Sequence, residues 1–439
     1  MKPVHKERHF LNSNILIYDI AMLLYKVVLD IAYISFIYPT YNYIGFIYDL
    51  SGIKLVESYL LLFIVYRLIP RARIRPSHII MSLFTIIAYI PMLTIYAMMN
   101  QPREYMYAVT LFIIFILLLV RFPVVRINPI KNIQNRFLNY TLLIIISLNV
   151  LCTCIILFKT VGSLSFDIYK VYEIRSLNKY IDIGLMRYVI NWTCYILNPL
   201  LIGYFLVNKR WISLSLVITI QILLFSLTGT KTYLMLIPFC MAMVFLVRSK
   251  NWLSYFVVGI TFLLFIGTFI EPSFMGDVFV RRAFFIPALI SFNYYDYFSH
   301  LEPLYLSAHH IFNTLVTYPY DVGPTYLIGQ AYLYHNVNTN ADTGILADAF
   351  INFGFWGFLI WGMLLGFICH LIDSVSAGKD VRIVTSGICG LTITLTESAL
   401  LTALITGGIL FAIFVIYLLP VTRRQHFLPY NYVQRRIIE

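Results

Sequence analysis

The sequence is short of charge. Only 12% of its 439 residues are Asp, Glu, Lys or Arg, while 60% are hydrophobic and the mean hydropathy is +0.81. Because soluble domains carry roughly a quarter charged residues, this composition excludes an ordinary soluble globular protein. Apolar runs of about twenty residues recur along the chain and predict a polytopic α-helical membrane protein.

Cysteine is also scarce, and all six cysteines fall inside apolar runs. The chain therefore has no disulfide framework and no CxxC metal pattern, and we interpret these residues as small buried hydrophobes. The polar stretch 271–343 contains four histidines but no repeated ligand spacing. We expect neither a metal nor another cofactor.

The formal net charge of +12 could suggest a nucleic-acid ligand. Most lysines and arginines, however, stand in connectors that alternate with base-poor ones, which is the positive-inside pattern of membrane proteins. No nucleic-acid partner is expected. The first apolar run is too long and too charged for a cleavable signal, so we expect it to stay as an anchor.

Apolar runs predict about twelve transmembrane helices, and the alternation of the connectors supports this count. The predicted runs are 14–37, 55–69, 78–99, 105–121, 138–158, 185–206, 210–227, 231–248, 253–270, 346–372, 381–397 and 399–419. This places nine helices in 1–270, one large extracytoplasmic loop with short helices in 271–343, and three helices with a basic tail in 344–439. Both termini are then cytoplasmic.

The first helix carries three charges, Asp19, Lys26 and Asp30. Spacings of seven and four place them on one face, and a charge at mid-bilayer costs roughly 2.5–3.5 kcal/mol. That face must point into the bundle. The charges form either an internal ion pair that fixes packing or part of a chemical site.

Two places in the sequence could bind an anion. Lys231 opens a predicted helix after Thr228-Gly229-Thr230, where free backbone N–H groups and a cation together suit an anion. Arg281 and Arg282 are the only arginines in the otherwise acidic stretch 271–343, which has no lysine, and the arginine fork fits phosphate oxygens. Snorkelling of Lys231 to the interface and binding of ordinary lipid headgroups by the arginines are the alternatives.

The same stretch is rich in tyrosine, beginning with Tyr294, Tyr295 and Asp296. Aromatic residues at a membrane–water interface are typical of the interfacial belt, and they also suit stacking against sugar rings. Where the chain returns to the membrane it carries Asp342, Asp348 and Asn352. The spacing of the last two places them on one helix face, as functional groups or as structural cross-links.

Three sequence segments resemble one family. The first is Arg282-Ala283-Phe284-Phe285-Ile286-Pro287-Ala288 with Tyr294-Tyr295-Asp296-Tyr297-Phe298-Ser299, the second is the stretch from Ala341 to Gly354 with Leu371-Ile372-Asp373, and the third is the Gly229-Thr230-Lys231 turn. All three are similar to motifs of bacterial oligosaccharide repeat-unit polymerases of the O-antigen (Wzy) type. The resemblance covers about 225–373. Lys231 stands where many relatives have arginine, and Asp342 stands where asparagine is expected.

This resemblance implies a GT-C-like glycosyltransferase of the bacterial cytoplasmic membrane, with an extracytoplasmic active site. It implies two undecaprenyl-pyrophosphate-linked oligosaccharides as substrates, O-antigen or capsular polysaccharide as product, and a chain-length regulator and a flippase as partners. Neither nucleotide nor metal is required, because the pyrophosphate leaving group supplies the driving force.

The site residues follow from the same resemblance. We assign Lys231, Arg281 and Arg282 to the donor pyrophosphate, since fixed cations stabilise the charge that develops on this leaving group. Candidate bases for the acceptor hydroxyl are His300, His335, Asp342 and Asp296. Tyr294, Tyr295, Asp296 and Asp348 are further candidates for substrate binding.

Two alternatives share the lipid-linked substrate. A flippase would place its cations in a central cavity and show two related halves, whereas this sequence has no evident internal repeat. An O-antigen ligase uses the same donor chemistry, so the sequence distinguishes poorly between a ligase and a polymerase.

Overall fold

The computed structural model describes residues 4–70, 74–122, 184–309, 316–333 and 339–419, with single residues at 148, 152, 155 and 312. Every regular element in these ranges is helical. They are α1 (apolar span Leu16–Ile44, in a helix that begins at Val4), α2 (Gly52–Leu68), α3 (Pro76–Met98), α4 (Arg103–Leu119), α5 (Met186–Val207), α6 (Trp211–Thr228), α7 (Lys231–Leu246), α8 (Trp252–Ile270), α9 (Pro272–Phe285), α10 (Ile286–Phe298), α11 (Pro324–Tyr332), α12 (Ile345–Phe353), α13 (Phe355–Val375), α14 (Val381–Glu397) and α15 (Leu400–Leu418, interrupted at residues 406–408).

Seven of the described helices are long and apolar enough to cross a membrane, namely α1, α3, α5, α6, α8, α13 and α15. This makes the chain an α-helical, multi-pass membrane protein. The other predicted runs fall on helices that are shorter or less apolar, except 138–158, which lies outside the described residues. The finer statements, twelve spans and a GT-C-like fold, stay predictions.

The predicted run 346–372 contains two helices. Gly354 ends α12 with a left-handed φ of 57°, and α13 begins at Phe355. Gly357 then lies against the backbone of α12, where a Cβ would stand 1.8 Å from the carbonyl oxygen of Ala349. The break is set by these two glycines, which a hydropathy average does not register.

A π-helical stretch stands before a proline at several places in the long helices. In the described helices each π-helical stretch ends two residues before a proline, as at Tyr33–Ile37 before Pro39 and Thr193–Leu197 before Pro199. Proline lacks the N–H group and clashes with the carbonyl four residues earlier, so a wider turn at this point relieves the clash.

The contacts divide the chain into two compact units. The first contains 1–123, 248–369 and 391–407. In it α1 packs along α8 and α3, α2 packs along α3 and α4, and α10 packs on α12. Its core contains several fully buried tyrosines, among them Tyr25, whose hydroxyl donates to the Ile86 carbonyl at 2.9 Å.

The second unit contains 124–247, 370–390 and 408–439. Its helices α5, α6 and α7 pack on one another and are joined by buried Gln221. The Gln221 amide donates to the carbonyls of Cys194 (3.1 Å) and Tyr233 (3.0 Å) and accepts from Asn198 at 2.8 Å. A polar group in an apolar bundle must find such partners, and this one links three helices.

Candidate functional site

The polar stretch 271–343, which was predicted as a loop with short helices, begins with the helices α9 and α10. Phe284 and Phe285 of α9 are buried and contact the α1 tyrosines Tyr25 and Tyr33, with ring centroids 6.4 and 5.9 Å apart. Gly276 lies against Phe36 of α1, where a Cβ would come within 2.5 Å of the ring. The arginine pair is therefore held on a helix that packs against a membrane span.

Glu271 caps the start of α9. Its carboxylate accepts the backbone N–H groups of Phe274 (3.1 Å) and Met275 (2.6 Å), which satisfies donors that have no partner within the helix. The hydrogen bond from Ser273, followed by that from the Met275 N–H, lowers the pKa of Glu271. The cap fixes the first turn of the helix that carries Arg281 and Arg282.

Arg281 is enclosed by partners of its own unit. The guanidinium forms an ion pair with Asp277, one turn earlier, and lies 4.5 Å from the ring centre of Tyr41. The Tyr41 hydroxyl donates to Asp277 at 3.3 Å. Arg281 is only 7% exposed, so its positive charge is largely balanced by Asp277 before any ligand binds.

Arg282 follows on the same helix and is half-buried. Arg282 is the second arginine of α9, next to the Arg281–Asp277 pair. The side chain of Tyr41, at the far end of α1, was not among the residues that the sequence pointed to. The spacing of four between Asp277 and Arg281 was the available signal for the pair.

Lys231 is the first residue of α7 and follows Gly229, which ends α6 in the left-handed region at φ 64°. It is half-buried. Lys231 belongs to the second unit, whereas Arg281 and Arg282 belong to the first. That the three cations bind one pyrophosphate stays a prediction.

Three consecutive residues of α10 have three different surroundings. Tyr294 is fully buried and donates to the Ala341 carbonyl at 3.0 Å. Tyr295 stacks on Tyr105 of α4 with centroids 4.7 Å apart. Asp296 is exposed and accepts a hydrogen bond from the Tyr332 hydroxyl at 2.6 Å. Of the three, Asp296 is therefore the group most open to a ligand.

Asp348 is a buried acceptor within the first unit. One carboxylate oxygen accepts from Asn352 at 2.8 Å, and the other accepts from Trp361 Nε1 at 2.7 Å and from the Leu400 backbone N–H at 2.8 Å. Asp348 is 2% exposed. It links α12, α13 and the start of α15, which is the cross-linking role that the sequence left open; substrate binding by Asp348 stays a prediction.

The proposed bases are placed differently from one another. Asp342 is exposed and accepts from the Asn340 amide at 2.8 Å. His300 is exposed just after α10. His335 lies outside the described residues. Within the described ranges, no group of three or more His, Cys, Asp or Glu side chains is arranged to hold a metal ion.

The charges of α1 form contacts inside the first unit. Lys26 is fully buried and pairs with Asp30, whose carboxylate also accepts from Tyr59 (2.8 Å) and Thr94 (2.8 Å). Asp19 forms a separate ion pair with Arg67 of α2 at 2.9 Å. The internal ion pair expected from the sequence is present at Lys26 and Asp30.

Compared with models of known protein families, with curated proteins and with solved structures, the chain shows no match.

Proposed function

We propose that the protein polymerises undecaprenyl-pyrophosphate-linked oligosaccharide repeat units into O-antigen or capsular polysaccharide on the outer face of the bacterial cytoplasmic membrane. The motif resemblance supplies this hypothesis. The observation that carries it is the arginine pair of α9, on a capped helix that packs against a membrane span. Such a helix can present a fixed cation to a lipid-linked pyrophosphate at the membrane surface.

In the proposed reaction, an acceptor hydroxyl oxygen attacks the anomeric carbon of the donor glycan. The carbon–oxygen bond to the pyrophosphate breaks, and the pyrophosphate leaves with the bonding electron pair. Arg282 stabilises this developing negative charge, and Arg281, held by Asp277, orients the helix turn beside it. The hydroxyl proton passes to a base, for which exposed His300, Asp296 and Asp342 are candidates.

The test is the Arg282→Ala variant, expressed at normal level in the host. Losing one fixed cation that acts on the leaving group lowers such rates by about 10²–10³. We expect loss of long polysaccharide and accumulation of single lipid-linked repeat units. Arg282→Lys keeps the charge without the fork, and we expect it to restore part of the chain length.

Arg103→Ala is the matched control. Arg103 is an exposed arginine at the start of α4 that pairs with Glu57 at 2.9 Å, so its loss removes an arginine of the same unit but not of α9. Chain length should stay normal in this variant. Long chains at wild-type level in the Arg282→Ala strain would refute the proposal.

Deleting the gene separates the polymerase from its alternatives. A missing polymerase leaves single repeat units on the carrier at the outer face. A missing flippase leaves them at the cytoplasmic face. A missing ligase leaves long chains on the carrier without transfer to their final acceptor.

A further inference from the structure

A cluster of tyrosines surrounds the exposed end of α10. Tyr297 contacts Phe298, with ring centroids 5.0 Å apart, and Phe298 contacts Tyr320 edge-on at 6.3 Å. Tyr320 in turn contacts Tyr318 at 5.6 Å. Except for buried Phe298, these rings are half-buried, so each has one side packed in the protein and another side that a ligand can reach.

The Asp296 carboxylate lies next to this tyrosine cluster. The Tyr332 hydroxyl donates to one of its oxygens at 2.6 Å. Within the part of the chain that the structure describes, its other oxygen, Oδ1, accepts no hydrogen bond. A carboxylate held from one side by tyrosine and open on the other can accept from the hydroxyls of a ligand.

The tyrosine hydroxyls near Asp296 are neutral at pH 7, as any phenol with a pKa of about 10 or above is. Burial raises the pKa of Tyr332, and Asp296 and then Tyr297 raise it further. Burial also raises the pKa of Tyr318 and Tyr320, and Tyr297 adds to both shifts. Neutral hydroxyls both donate and accept hydrogen bonds, which suits a ligand that itself carries many hydroxyl groups.

The stretch of sequence that carries these residues contains several acidic groups and, apart from histidines, no basic ones. From Ala283 to Gly378 the sequence has no lysine and no arginine. Asp321 follows Tyr320 directly, and Glu302 follows α10; both are exposed. A ligand with a carboxylate of its own would meet the carboxylates of Asp296, Asp321 and Glu302 here, which disfavours its binding.

We propose that Asp296, Tyr332 and the Tyr297–Tyr318–Tyr320 cluster bind the non-reducing-end sugar of the acceptor repeat unit, and that this sugar carries no carboxylate. The inference rests on the proposed function, and it adds where the acceptor binds and which class of sugar is accepted. Half-buried rings pack against the C–H face of a pyranose, and Asp296 Oδ1 accepts from its hydroxyls. The arginines of α9 act on the pyrophosphate of the donor and not on this sugar.

The experiment uses the full-length protein in nanodiscs and, as probe, the repeat unit released from its carrier by mild acid. Binding is followed by saturation-transfer NMR titration. We expect a millimolar Kd for the wild type, a rise of about tenfold for Asp296→Asn, because a charged acceptor is lost, and a smaller rise for Tyr332→Phe. Asp296→Asn keeps the shape and can still accept from Tyr332, so folding is preserved.

Glu302→Gln is the matched control, since it removes an exposed carboxylate of the next loop and should leave the Kd unchanged. Arg282→Ala should also bind the released unit normally, because this probe lacks pyrophosphate. The inference is overturned if the wild type does not bind the unit, if Asp296→Asn binds it as the wild type does, or if sugar analysis finds a uronic or sialic acid at its non-reducing end.

Failure of the subsite and failure of the proposed function give different results. If Arg282→Ala abolishes long chains while Asp296→Asn binds the repeat unit normally, the polymerase stands and the subsite is wrong. If Asp296→Asn loses binding while Arg282→Ala makes normal chains, the sugar site stands and the polymerase proposal is wrong.

Discussion

Lys26–Asp30 in α1 and Arg281–Asp277 in α9 are ion pairs of the same construction in different surroundings. In both, the partners are four residues apart on one helix. In both, one tyrosine places its ring beside the cation, 4.8 Å away for Tyr59 and 4.5 Å for Tyr41. The same tyrosine hydroxyl donates to the carboxylate, at 2.8 and 3.3 Å.

The surroundings of the two pairs differ in enclosure. The Lys26 side chain is 0% exposed, and a third donor, Thr94, reaches Asp30. The Asp277 side chain is 24% exposed, and half-buried Arg282 follows the pair. We call the Lys26 pair closed, because both partners are enclosed, and the Arg281 pair open, because the Asp277 carboxylate reaches solvent although Arg281 itself is buried. Solvent access to the carboxylate, rather than to the cation, is therefore what distinguishes the two pairs.

The largest loss of stability is expected when the lysine of the closed pair is replaced. Lys26→Met leaves the Asp30 carboxylate buried without its counter-ion, and breaking a buried pair costs about 3–5 kcal/mol. We expect this loss in the free energy of unfolding, measured by steric trapping in bicelles. The double variant Lys26→Met/Asp30→Asn removes both charges and should recover most of it. Equal losses in the single and double variants would contradict a closed ion pair.

A smaller effect is expected from the open pair. In Arg281→Met, Asp277 loses its partner but can be hydrated, since a quarter of its side chain is exposed. We expect a loss of about 1–2 kcal/mol in the same assay, as for a hydrogen bond to a charged group. A loss as large as that of Lys26→Met would show that the second pair is closed as well, and the comparison would fail.

The smallest change in stability is expected when the Glu271 cap of α9 is removed. Hydrogen bonds hold the pKa of Glu271 below its ordinary value, so the cap stabilises the fold above the unfolded pKa of about 4.3 and loses this contribution as the pH falls through the folded pKa. The Tm of the wild type should exceed that of Glu271→Gln at pH 7, and the difference should shrink on acidification below about pH 4. A pH-independent difference would argue against the carboxylate as cap.

Hydropathy predicted the apolar helices closely. The predicted runs 78–99 and 253–270 match Pro76–Met98 and Trp252–Ile270 to within two residues, because a membrane span is set by the number of apolar residues that cross the bilayer. The break at Gly354 was missed, because a left-handed glycine and a close helix contact do not change the average hydropathy. Local geometry, not composition, decides such a break.

For the candidate site, the sequence predicted which residues are of interest better than it predicted which side chains they contact. Arg281 was expected to bind phosphate, yet its nearest anion is Asp277 and its nearest ring is Tyr41. The contact with Tyr41 spans more than two hundred residues of chain and leaves no pattern in a single sequence. The cross-links made by Asp348 are equally non-local, since Leu400 comes from a different helix.

That last contact bears on how the protein is made. The first unit draws its residues from 1–123, 248–369 and 391–407, so it remains incomplete until its last segment, 391–407, has been synthesised. Until Leu400 arrives, the Asp348 carboxylate lacks one of its three donors. A chain that stops near residue 390 would leave that acid partly unsatisfied inside an apolar bundle, a state that quality control in the membrane can recognise and remove.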